Sequence, residues 1–170
     1  MEVNALPKYD MSDNPTGCCP RFKSEAWDGQ ELHFRNKPFL KATTRSLFHI
    51  PLNMGPVFSR TFAAIQGADA FSDENFVVLS CDPSAWKGEH YFAVTHAVAG
   101  QEMVTLSGDY LTKVFEGPYG NVPKWAREME KYAREKGRNV KKTYFFYTTC
   151  PKCAKVYGKN YVVGVAEVGA

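Results

Sequence analysis

From Gly108 onward, apolar and polar positions follow one recognisable order: a β-rich run, a helical stripe, and two further β runs. The first run, Gly108-Asp-Tyr-Leu-Thr-Lys-Val-Phe-Glu-Gly-Pro-Tyr119, closes on a Gly-Pro turn. A helix is predicted from about Val122. There Val122, Trp125, Met129 and Tyr132 recur at helical spacing, with Asn121 as a candidate cap, Pro123 in the first turn and Gly137 as the stop. The aromatic run Lys142-Thr-Tyr-Phe-Phe-Tyr-Thr-Thr149 and the apolar run Asn160–Val168 complete the unit.

The preceding seventy or so residues pass through the same order. Lys37–Ile50 reads as extended and ends at Pro51. A helix carrying Val57 or Phe58, Phe62 and Ile65 follows, stopped at Gly67, and then come the strand runs Asn75–Ser80 and His90–Thr95. Two strand–helix–strand–strand units in tandem predict a duplicated α+β domain, with an antiparallel sheet carrying its helices on one face. The match is one of element order, not of residue identity. Residues 1–36, rich in Pro and Gly and without periodicity, read as an arm preceding a domain at 37–170. Trp27, Leu32 and Phe34 would pin this arm over a sheet edge or part of a groove.

The order tyrosine, apolar strand, Phe115-Glu-Gly-Pro-Tyr119, Trp-bearing helix, Tyr-rich strand and final apolar strand resembles the GyrI-like small-molecule-binding domain. This is the effector-binding module of bacterial multidrug-sensing regulators and of stand-alone proteins. The resemblance covers about Pro38–Val168. It implies two pseudo-symmetric βαββ units whose sheet forms a ligand groove away from the helices. It also implies binding of amphiphilic or cationic organic molecules, and, in one branch, hydrolysis of cyclopropane-bearing compounds. Family members commonly carry a carboxylate two residues before a tyrosine on the penultimate strand. Here Phe145 precedes Tyr147 at that spacing, so both cation recognition and glutamate-assisted hydrolysis need another acid.

Composition narrows the partners. Net charge is only +3, and the basic residues are spread along the chain, which argues against nucleic acid. No apolar stretch suits a membrane span and no charged-then-apolar leader is seen, so a cytoplasmic protein, monomeric or homodimeric, is expected. Nine Tyr and twelve Phe supply a core and, in part, ring faces for a planar or cationic ligand. The candidate ligand-contacting residues are Trp86, Tyr91, Tyr110, Tyr144, Phe146, Tyr147 and Glu167. Alternation puts Tyr144 and Phe146 on one face and Phe145 and Tyr147 on the other, without saying which lines the groove. Glu167, inside an apolar strand, and Glu116, at a strand end, are the candidate general bases should the protein be a hydrolase. A protein-interaction module with exposed aromatics is a third reading.

Five cysteines without an export signal do not suggest a disulfide framework. Cys150-Pro-Lys-Cys153 admits a redox pair, a zinc knuckle or plain half-buried thiols. The redox reading needs a following helix, which Tyr157-Gly158-Lys159-Asn160 argues against. No cofactor is required. A structural zinc would draw on Cys150, Cys153, Cys18 and Cys19, with His33 or His49 as substitutes, although adjacent cysteines are awkward ligands for one tetrahedral ion. Cys81 reads as a core thiol, and His49, His90 and His96 as surface histidines.

Overall fold

A computed structural model describes all residues, Met1–Ala170. Strand β1 (Glu31–Leu47) is followed by the short β2 (Ile50–Pro51), helix α1 (Met54–Gly67), and strands β3 (Val78–Ser84) and β4 (Lys87–Ala93). The second unit holds β5 (Met103–Glu116), α2 (Val122–Glu135), β6 (Asn139–Tyr147), a short helix α3 (Pro151–Tyr157) and β7 (Tyr161–Gly169). The order across the sheet is β2-β1-β4-β3-β6-β7-β5, all antiparallel. Each βαββ unit therefore contributes three adjacent strands, and the units meet at β3–β6 through the single register pair Ser80–Phe145. β1 also pairs with β5, which curls the sheet back on itself.

The two helices are held by residues with helical spacing. Val57, Thr61 and Ile65 bury one side of α1, whose Phe58 and Phe62 rings meet Phe92 edge-on at 5.1 and 5.3 Å. In α2, Trp125, Met129 and Ala133 are buried, and Trp125 stacks on Phe115 at 5.3 Å. Met129 lies over Gly164 of β7, where an added Cβ would stand 2.7 Å from its sulfur. Leu111, Phe145, Val162, Ala166 and Val168 complete this layer. The opposite parity on the same strands (Tyr110, Tyr144, Phe146, Val163, Val165) belongs to the other, larger core.

Several local expectations are corrected. Strand β1 starts at Glu31, so the end of the supposed arm is strand. Its inward residues switch from even (Leu32, Phe34) to odd (Phe39, Lys41) across a bulge between Phe34 and Lys37. There Asn36 takes φ 48° and donates its N–H to Ser107 Oγ at 2.8 Å. Asn121 does not cap α2 but ends a 3-10 turn, Tyr119–Asn121, that leads into it. A helix does follow Cys150: Pro151 sits in its first turn, the Cys150 sulfur accepts the Cys153 N–H, and Gly158 at φ 69° ends it. His90 is buried, not superficial. Its ring bonds Thr44 Oγ1 at 2.9 Å and Ser80 Oγ at 2.7 Å, and burial pushes its pKa down to about 4. His96 lies beyond the end of β4. Cys81 lies within β3, half-buried, and pairs in register with Glu89.

Candidate functional site

Strand register sets the inward face out in rows. Tyr110, Glu167 and Lys142 lie abreast across β5, β7 and β6; Thr112, Val165 and Tyr144 form the next row; Val114, Val163 and Phe146 the third. Across the seam Tyr91 meets Tyr144 ring to ring at 5.8 Å, and Tyr110 meets Phe34 at 4.7 Å and Tyr144 at 6.5 Å. Sequence alternation left the groove face open. The structure puts Tyr91, Tyr110, Tyr144, Phe146 and Glu167 together and sends Phe145 and Tyr147 the other way. Phe145 packs in the α2 layer and Tyr147 lies 5.7 Å from Tyr119.

The third row is covered by the N-terminal segment. The rings of Tyr9, Phe22 and Trp27 surround Phe146 at 5.8, 6.4 and 5.3 Å. This cover is also hydrogen-bonded. The fully buried Thr112 donates its hydroxyl to Trp27 O and its N–H to Gln30 O at 3.0 Å, while Val114 N–H donates to Asp28 Oδ1 at 2.9 Å. The first row stays at the rim, with Glu167 half-buried and Lys142 exposed.

Charge and hydrogen-bonding capacity concentrate there. Lys142 Nζ lies 4.9 Å above the Tyr144 ring and 5.8 Å above that of Tyr91, and Lys41 Nζ lies 6.0 Å above Tyr91. Lys41 is committed to the buried Glu89 at 2.7 Å and holds that carboxyl below its usual range. The carboxylate of Glu167 makes neither an ion pair nor a side-chain hydrogen bond within the chain. The hydroxyls of Tyr91, Tyr110 and Tyr144 likewise lack a protein partner, whereas those of Tyr9, Tyr119 and Tyr157 each donate to a backbone carbonyl. Burial, and then the negative charge of Glu167, pushes the Tyr110 phenol above its ordinary pKa. Burial first, and then Cys81, Glu167 and Glu89, does the same for Tyr144. Both are neutral donors throughout the physiological range.

Two other candidates stand apart. Trp86 is exposed in the β3–β4 turn against Phe48, beside the exposed Leu47, Ile50 and Leu52 of the β1–β2 hairpin. Glu116 is exposed at the far end of β5, six residues and roughly 20 Å along the strand from Tyr110. Sequence reasoning missed a polar cluster at the rim. His33 Nδ1 lies 2.8 Å from Asp109 Oδ1, and Arg138 donates to Asp109 Oδ2 at 3.0 Å, beside an open depression of about 730 Å³. The hydrogen bond from His33, then that from Arg138, holds the Asp109 carboxyl below its ordinary pKa. Only the β1–β5 register brings His33 opposite Asp109, and nothing in their local sequence signals it.

The four cysteines weighed for zinc meet at the opposite side of the cover. The sulfurs of Cys18, Cys19, Cys150 and Cys153 all lie within 4.8 Å of one another. His33 is engaged by Asp109 and His49 stands 3.6 Å from Asp82, so neither histidine joins them.

An internally duplicated α+β sheet with an aromatic inward face defines the structural class. The chain belongs to the family described as Bacterial hydrolase, which it matches over residues 9–168. Solved structures share the fold. An uncharacterized conserved protein from Listeria innocua is 11% identical, with 84% of this chain and 92% of that chain covered and a TM-score of 0.59. A hydrolase from Listeria innocua is 12% identical over the same shares, with a TM-score of 0.58. The structure of SAV2435 bound to tetraphenylphosphonium is less similar, at 14% identity, 84% and 94% coverage and a TM-score of 0.49. No curated protein matches the sequence. No helix is long and apolar enough to cross a membrane.

Proposed function

We propose that the rim of the inward face, around Glu167, binds a small organic molecule with an aromatic body and a cationic or strongly polar end, in the manner of a GyrI-like domain. One observation carries this reading: Glu167, Tyr91, Tyr110 and Tyr144 share one face of the sheet, and neither the carboxylate nor any of the three hydroxyls has a partner from the chain. None of these four groups is sealed from solvent, so each is free to exchange a water for a polar or charged group of a ligand. The Lys142 ammonium over the Tyr91 and Tyr144 rings marks the position that a ligand's cation would take. An exposed cation–π contact is worth only about 0.5–1 kcal/mol, so the lysine is readily displaced. Glu167 thus supplies the acid that Phe145 does not.

The family match favours a second reading on the same residues, hydrolysis. Glu167 would activate a water as general base, and a neutral Tyr110 or Tyr144 would donate to the departing atom. Titration calorimetry with an aromatic quaternary ammonium, benzyltrimethylammonium, tests the binding. Glu167→Gln should weaken it at least about tenfold, a loss of about 1.4 kcal/mol, while Glu116→Gln should leave it unchanged. Equal affinity in both variants would rule out the assignment. The same pair, assayed for turnover of p-nitrophenyl acetate, separates hydrolysis from simple binding.

A further inference from the structure

We propose that Cys18, Cys19, Cys150 and Cys153 form a tetrathiolate site for a thiophilic divalent cation of the zinc type, which clamps the N-terminal segment onto the β6–β7 connection. A Zn–S bond of about 2.3 Å in a regular tetrahedron sets sulfur–sulfur edges of about 3.8 Å. Cys18 and Cys19 already stand at 3.7 Å, and no pair exceeds 4.8 Å, so closing on a metal needs shifts of well under an ångström per sulfur.

The adjacent cysteines, awkward in an extended chain, work here because Gly17 at φ 70° turns the loop just before them. Its N–H donates to Asn14 O at 3.1 Å. Cys150 and Cys153 are set three apart at the start of α3, where the Cys153 N–H donates to the Cys150 sulfur at 3.5 Å. The site has its own supporting hydrogen bonds. Cys150 N–H donates to the Cys19 sulfur at 3.5 Å, and Thr16 Oγ1 lies 3.3 Å from the Cys153 sulfur while accepting from the N–H groups of Cys18 and Cys19. Tyr157 closes the ring by donating to Cys19 O. Such outer groups fix thiolate direction in metal sites. No carboxylate joins the four sulfurs, which disfavours magnesium and calcium. Loading converts four thiols to thiolates and releases their protons, leaving a doubly negative centre at the start of α3, a helix that carries Lys152 and Lys155.

The consequence is mechanical. The site joins segments 131 residues apart, and its arm side leads directly into Phe22 and Trp27, which cover Phe146. The full chain, purified under reducing conditions, should carry stoichiometric zinc by elemental analysis. Replacement by cobalt(II) should give the visible bands of a tetrahedral tetrathiolate. Cys18→Ser, at an exposed position, should fold yet lose that spectrum, Cys81→Ser should keep it, and Thr16→Val should weaken metal affinity roughly 10- to 100-fold. Chelation of the wild type should speed proteolytic cleavage within residues 1–30. The proposal is overturned if the reduced chain binds neither zinc nor cobalt, or if Cys18→Ser binds cobalt as tightly and with the same spectrum. It is equally overturned if freshly isolated protein carries Cys18–Cys19 or Cys150–Cys153 disulfides in place of metal.

Discussion

Trp27→Ala is the most informative perturbation of the cover. The indole is 1% exposed, packs against Phe146 at 5.3 Å, and belongs to the same core as Tyr9, Phe34 and Tyr110. Truncating a buried tryptophan costs about 3–5 kcal/mol, a large part of the roughly 5–15 kcal/mol that holds a domain folded. For a chain of this size each kcal/mol moves Tm by about 2–4 °C, so a fall of about 6–20 °C is expected. The bond from the Thr112 hydroxyl to the main-chain Trp27 O survives the change, so the loss reports the ring. Trp27→Phe is the control. The indole N–H is buried without a partner, and removing that unsatisfied donor offsets part of the lost packing. Phe should therefore cost much less than Ala, by at least about 2 kcal/mol. Thermal unfolding with native-state hydrogen exchange gives both numbers, and exchange should rise selectively over residues 1–30. A loss below about 1 kcal/mol for Trp27→Ala would refute the claim that this segment is an integral cover of the inward face.

Two further outcomes test the frame. Gly164→Ala should destabilise by about 1–3 kcal/mol, because the new methyl meets Met129 Sδ at 2.7 Å, Met129 Cγ at 2.9 Å and Phe115 at 3.0 Å. Denaturant unfolding measures this, and a neutral result would place α2 less tightly on β7. His90, neutral in the folded chain with a pKa of about 4, takes up a proton near pH 6.5 when unfolded. Stability should therefore be intact above pH 6.5 and fall as pH drops toward 4, by about 3 kcal/mol in all. Its imidazole NMR signals should not titrate above about pH 5, and a midpoint at 6 or higher would contradict the burial argument.

Element order was legible because amphipathic periods survive in the sequence. The α2 stripe Trp125–Met129 and the alternation in β6 and β7 each dictate a buried side. What alternation could not provide was the sign of the face. That depends on which side receives α2, and thus on Gly164 making room for Met129. The Asn36 bulge hid the start of β1 by reversing its parity midway. His90 looked like a surface residue because its partners, Thr44 and Ser80, lie on two other strands. The same holds for the cysteines. Their spacing along the chain argued weakly, and only the fold of the arm brings Cys18 and Cys19 to α3.

The central claim, a ligand site at the Glu167 rim, is tested most directly by NMR of the protein labelled at its tyrosine rings during titration with benzyltrimethylammonium. Saturable shifts confined to Tyr91, Tyr110 and Tyr144, and suppressed by Glu167→Gln, are the expected result. Shifts at Tyr119, Tyr132 or Tyr157 in place of those three, or the same response in Glu167→Gln, would contradict it.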